Sequence, residues 1–143
     1  MIRDCGDILD RWSISRLKFE RIGTDENKKE YKAFNEALEK IKITYKELPW
    51  TKICEQMYSI NDFIWQLEAG LKGGKEELRN PHYILDRENE KTLAKIGTTT
   101  ILIRNFNHLR VGFKNFINTL TKTGFQDIKK NHISETTDYN MEI

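Results

Sequence analysis

The stretch "YKAFNEALEKIKITYKEL", Tyr31 to Leu48, carries the cleanest periodic signal in the chain. Tyr31, Phe34, Leu38, Ile41, Tyr45 and Leu48 recur at steps of 3, 4, 3, 4 and 3. Apolar residues at that spacing return to one side of an α-helix and form a heptad seam. The positions between them are mostly Lys and Glu. One side therefore packs and the rest is solvated. The spacing predicts a helix from about Asp25 to Leu48, ended by Pro49, because proline removes a backbone donor.

The same reasoning extends in both directions. Upstream, Ile8, Trp12, Phe19 and Ile22 make one apolar stripe, while Leu9, Ile14 and Leu17 point elsewhere. A helix that is apolar on more than one side is usually central. Asp7 is expected as its N-cap, with Asp10 at the third helical position, as in a capping box. Gly23 is expected to close it. Downstream, Ile53, Met57, Ile60, Ile64, Leu67 and Leu71 step by 4, 3, 4, 3 and 4. That helix is expected to start near Thr51 and to stop at "KGG", Lys72 to Gly74. Asn80-Pro81 fits an N-cap followed by proline in the first turn. The last helical region, about Asp86 to Thr121, keeps its period through Leu93, Ile96, Ile103, Phe106, Phe113, Ile117 and Leu120.

Gly97 and the run Thr98, Thr99, Thr100 are poorer helix formers. They predict one long helix with a bend or loosened turn near Gly97; two helices are the alternative. "TTTILI", Thr98 to Ile103, has β propensity, but one isolated segment forms no sheet. The expected fold is all-α, a bundle of four main helices over residues 1–124, followed by a polar, flexible tail over 125–143.

A length of 143 residues suits one domain with a real core. With 24 basic and 22 acidic residues, the charge is too balanced to announce a nucleic-acid polymer. No run of 18 apolar residues occurs, so no membrane span is expected. The first residues lack the apolar stretch of a signal peptide, which points to a cytoplasmic protein. Cys5 and Cys54 have no CxxC spacing and are read as two buried thiols.

Three of the four helices also carry a polar line beside the apolar one. Asp10, Ser13, Leu17 and Glu20 share a face of the first. Asn61, Trp65, Glu68 and Lys72 share one of the third, and Asn107, Arg110, Lys114 and Asn118 one of the last. "DRWSISRLKFERI" (Asp10 to Ile22), "NDFIWQLEAGLK" (Asn61 to Lys72) and "NHLRVGFKNFIN" (Asn107 to Asn118) carry these lines. In order, they resemble three blocks of an uncharacterised family of small helical bacterial proteins. The chain has Lys72 where that family has arginine, and Ala69 where an acidic residue is usual. The resemblance implies a helical fold and gives weight to the polar lines; it implies no reaction.

Charged side chains leave water only when paired, so the lines either face outward or meet. If they meet, they form either a closed network that fixes helix register or an open pocket. The pocket would be lined by Asp10, Arg11, Glu20, Asn61, Trp65, Glu68, Lys72, Asn107, Arg110 and Lys114. Its bases suit a phosphate or carboxylate, because guanidinium offers a two-pronged donor fork. The acids would orient the bases, the amides would read neutral polar groups, and Trp65 would stack on a base or sugar. The expected ligand is a small anion, a nucleotide or a phosphorylated sugar, held by a sequestering or accessory factor. No cofactor can be read from the sequence.

Two other functions compete. MazG-type pyrophosphohydrolases resemble the chain in size and helix content, and hold magnesium with Glu-x-x-Glu and Glu-x-x-Asp on successive helices. Here Glu36 and Glu39 give the first spacing, but the second occurs only at Glu135 and Asp138 in the tail. A magnesium site built from Asp10, Glu20 and Glu68 is the non-standard form of that reading. The third function is an interaction module, a homo-oligomer paired through the seam of Tyr31, Phe34, Leu38, Ile41 and Tyr45. His82, His108 and His132 show no metal-ligand spacing.

Overall fold

A computed structural model describes residues 4–77 and 87–124. These residues form four helices and no strand: α1 (Cys5–Arg21), α2 (Asp25–Thr44), α3 (Trp50–Glu77) and α4 (Arg87–Thr121). The fold is all-α, as the apolar spacing predicts. Asn80-Pro81 and the tail from residue 125 onward lie outside the described residues.

Contacts divide the chain into two compact units, a division that no composition shift marks in the sequence. One unit holds the residues up to Asn61 together with those from His108 onward; the other is Asp62–Asn107. Both α3 and α4 contribute to each.

In the first unit, α1 is the helix against which the other three segments pack. Its partner α2 runs antiparallel to it. The Trp12 indole donates to Asn35 Oδ1 at 3.2 Å, Phe19 stacks on Tyr31, and Lys18 lies 3.7 Å from Glu30. The turn between them closes on Gly23, whose φ of 76° is a conformation that side chains with a Cβ rarely adopt. Leu9, Leu17, Leu38, Met57, Phe113 and Ile117 are wholly buried at the centre. The stripe expected on α1 is only part of this core: Leu9 and Leu17 lie deepest, whereas Ile22 is exposed. A helix enclosed on three sides has no single inner face. Leu38 and Ile41, at the middle of the α2 seam, are buried within this unit rather than standing free.

Helix ends are where the structure departs from the sequence reading. Asp4, not Asp7, caps α1, and its side chain accepts the Asp7 N–H at 2.7 Å. The cap lies one turn earlier than expected, which leaves Asp7 and Asp10 free to face other helices. α2 ends at Thr44, with Tyr45 as its cap. α3 begins at Trp50, because the Pro49 carbonyl accepts from Ile53 N and the Trp50 indole donates to the Tyr45 carbonyl.

α3 also runs through Gly73 and Gly74 to Glu77 instead of stopping there. A Cβ on Gly74 would lie 3.2 Å from Ile96 Cγ1, so this glycine marks where α4 comes close rather than where α3 ends. With Phe63 stacked on Phe106, that contact makes the second unit an antiparallel helix pair. α4 is one helix across Gly97.

Both cysteines are buried and free. Burial pushes the Cys54 thiol above its ordinary pKa; to a smaller extent Lys42 lowers it and Glu39 raises it further. A raised folded-state pKa means that the native protein holds the proton more tightly than the unfolded chain. The associated stability is present below the ordinary thiol pKa and is lost as pH rises through the raised one. At pH 8, iodoacetamide should therefore alkylate Cys54 far more slowly in the native protein than in urea. Mass spectrometry of the labelled peptide checks this.

Candidate polar site on α1, α3 and α4

The polar line on α4 is explained by what it meets. Going along α4 and back along α1, Arg110 faces Asp10, Lys114 faces Asp10 and Asp7, and Asn118 faces Gly6. Arg110 Nε lies 4.0 Å from Asp10 Oδ1. Lys114 Nζ lies 3.5 Å from Asp7 Oδ1 and 3.7 Å from Asp10 Oδ2. Asn118 Oδ1 accepts the Gly6 N–H at 2.7 Å and the Thr123 hydroxyl at 3.2 Å. Thr123 Oγ1 in turn accepts the Cys5 N–H. The first amides of α1, which lack partners within their own helix, are thus satisfied from the end of α4.

Asp10 is the centre of the cluster, with its side chain 7 % exposed. The Asn61 amide spends both its donors here, on Asp10 Oδ1 at 2.9 Å and on Ser13 Oγ. Ser13 donates to the Asp10 carbonyl. Arg11 binds Asp7 at 3.0 and 3.2 Å, one helical turn away, on the wetter side. The cluster therefore sets three cations (Arg11, Arg110, Lys114) against two carboxylates (Asp7, Asp10).

The two cationic side chains are about a quarter exposed, 29 % for Arg110 and 26 % for Lys114. Their separations from Asp10 are too long for direct hydrogen bonds. Arg110 Nε is itself buried and, among the described residues, donates to no acceptor.

Of the ten residues expected to line one pocket, Asp10, Asn61, Arg110 and Lys114 come together, with Arg11 alongside. Glu20 does not join them. It stands ten residues along α1, about 15 Å away at the helical rise, where it accepts from the Tyr58 hydroxyl at 2.9 Å and pairs with Arg16 at 3.2 Å. Burial, reinforced by the hydrogen bond to Glu20, pushes the Tyr58 phenol above its ordinary pKa. The Arg16 guanidinium also lies over the Tyr58 ring.

Trp65, Glu68, Lys72 and Asn107 belong to the second unit. There Glu68 and Lys72 are exposed, and Asn107 donates to its own helix at the Ile103 carbonyl. A groove of about 390 Å³ in that unit is lined by Gly70, Leu71, Gly73, Gly74, Lys95, Ile96 and Thr99, none of them among the expected ten.

No family model, curated protein or solved structure matches the chain. Among the described residues, no three acidic, histidine or cysteine side chains gather as a metal site. Likewise, no helix there is long and apolar enough to cross a membrane.

Sequence reading missed Asp7, which it assigned to capping, and Tyr58. The signal for Asp7 was present: it lies three residues before Asp10, on the same face.

Proposed function

We propose that the protein binds a small anionic ligand, a nucleotide or a phosphorylated sugar, at the cationic face of Arg110, Lys114 and Arg11 above Asp10, without catalysis. One observation carries this reading: the Arg110 guanidinium stands at the cluster with a buried donor that no acceptor among the described residues takes up. Buried donors are normally paired, and a guanidinium suits phosphate oxygens. Asp10 and Asn61 act as the floor that holds the two cations in place. The ligand exchanges with, or adds to, the long Asp10 contacts. A sequestering or accessory role fits such a site.

The magnesium-dependent hydrolase reading gains less support. A hard cation needs an excess of carboxylates, and here cations outnumber them. Its third acid, Glu20, is committed to Tyr58 and Arg16. A purely structural polar network is the second reading, favoured by the double donation of Asn61 to Asp10 and Ser13.

Thermal shift against inorganic phosphate, pyrophosphate, ATP, GTP and ribose 5-phosphate separates the two. A ligand present at ten times its dissociation constant stabilises the native state by about 1.4 kcal/mol. That should appear as a rise of about 4 °C in Tm. Arg110→Ala should abolish the rise. Asp10→Asn removes the competing charge and should tighten binding about tenfold, since a unit charge near 4 Å is worth that much even when well screened. The network reading expects no compound to bind either protein.

A further inference from the structure

The second unit leaves one side of α4 uncovered. Among the described residues of Asp62–Asn107, Ile64 is the one buried side chain. α4 turns Ile96, Ile103 and Phe106 toward the half-covered side and leaves Leu93 and Ile101 at 41 % and 60 % exposure. Most of α4 between Glu90 and Asn105 is exposed, Leu102 included, and one line of residues runs through that surface. Glu90, Leu93, Gly97, Ile101 and Arg104 step by 3, 4, 4 and 3, all five are exposed, and a Cβ on Gly97 would meet nothing. At helical spacing they fall within an arc of about 80° and along about 21 Å of the axis.

This stripe is a palindrome in chemistry as well as spacing. Gly97 is its midpoint, an aliphatic residue stands four positions to either side, and opposite charges stand seven positions to either side. We infer that α4 pairs with α4 of a second copy of the chain, antiparallel, about a two-fold axis passing through Gly97. The operation places Leu93 against Ile101 of the second copy and Glu90 against its Arg104, each contact occurring twice, as a two-fold interface requires.

Gly97 lies against itself, where the absence of a side chain lets the two backbones approach. The flanking positions, Ala94 and Thr100, are small enough to permit it. Charge complementarity selects the antiparallel arrangement, because a parallel pair would set glutamate on glutamate and arginine on arginine. The glycine that weakens α4 as a helix former is thereby given a use. None of its residues belongs to the polar cluster or to the α2 seam.

The patch is small, so the dimer should be weak and reversible rather than permanent. Sedimentation equilibrium of the intact chain tests it. Wild type should shift from monomer toward dimer as its concentration rises. Glu90→Arg and Arg104→Glu, each alone, should weaken association at least tenfold. The double variant, Glu90→Arg with Arg104→Glu, restores the pairing with signs exchanged and should return to within about threefold of wild type.

All three variants change exposed residues, and far-ultraviolet circular dichroism confirms that they remain helical. Under mild oxidation, Gly97→Cys should cross-link into a covalent dimer. Leu93→Cys should not, because its two copies would lie about 12 Å apart along the seam. A wild-type chain that stays monomeric at 500 µM, a double variant as weak as the singles, or Leu93→Cys linking as readily as Gly97→Cys overturns the inference.

Discussion

Gly6→Ala is expected to destabilise the protein by about 3 kcal/mol, or roughly 10 °C in Tm for a chain of this size. An added Cβ would overlap the Lys114 carbonyl oxygen and lie 2.9 Å from Asn118 Oδ1. Neither obstacle can swing aside. The carbonyl is helical backbone, and Asn118 Oδ1 is fixed by the Gly6 N–H at 2.7 Å and by the Thr123 hydroxyl. The whole end of α4 would have to retreat, which would also stretch the Lys114 contacts with Asp7 and Asp10. The intrinsic helix preference of alanine, about 1 kcal/mol over glycine, offsets only part of this. Thermal and urea melts measure the loss. A variant as stable as wild type would mean that α1 and α4 are not packed this closely.

Asp10→Leu is expected to cost about 3 kcal/mol. Removing one partner from a buried ion pair costs 3–5 kcal/mol in general. The partial exposure of Arg110 and Lys114 places this case toward the low end. Leucine matches the aspartate in rough size but strands three sets of donors: the Asn61 amide, the Lys114 ammonium and the Arg110 guanidinium. Asp10→Asn keeps an acceptor for Asn61 and should cost less by about 1 kcal/mol, the usual net worth of one hydrogen bond. Urea denaturation of the two variants separates charge from hydrogen bonding. Equal losses would mean that the acceptor kept by asparagine contributes nothing and that the lost charge carries the whole effect.

Much of the fold was legible because its signal is periodic. The steps of 3 and 4 in α2 and α3 report which residues share a face, and Leu38, Ile41, Met57 and Ile60 are buried accordingly. Helix ends are set by single hydrogen bonds and close contacts, and there the reading slipped. Asp7 looked like a cap because Asp10 follows it three residues on, as in a capping box, yet Asp4 was one turn earlier. Gly73 and Gly74 looked like a stop, yet Gly74 makes room for Ile96.

The site was half legible for a related reason. Spacing fixes the angle of a residue about its helix axis but not its height along the partner. Asp10 and Glu20 share a face of α1, and Asn61 and Lys72 a face of α3, but each pair is separated by about 15 Å of helix. Only the members at matching heights meet, which are Asp10, Asn61, Arg110 and Lys114.

The central claim is that Arg110 offers a donor to an anion, and the resonance of that donor tests it most directly. In a ¹⁵N-labelled protein the Arg110 Nε–H cross-peak can be assigned by its loss in Arg110→Lys. The account predicts that titration with pyrophosphate moves this peak saturably, and at about tenfold lower concentration in Asp10→Asn. A peak that stays in place at 10 mM pyrophosphate, or moves no more than that of the exposed Arg104, would contradict it.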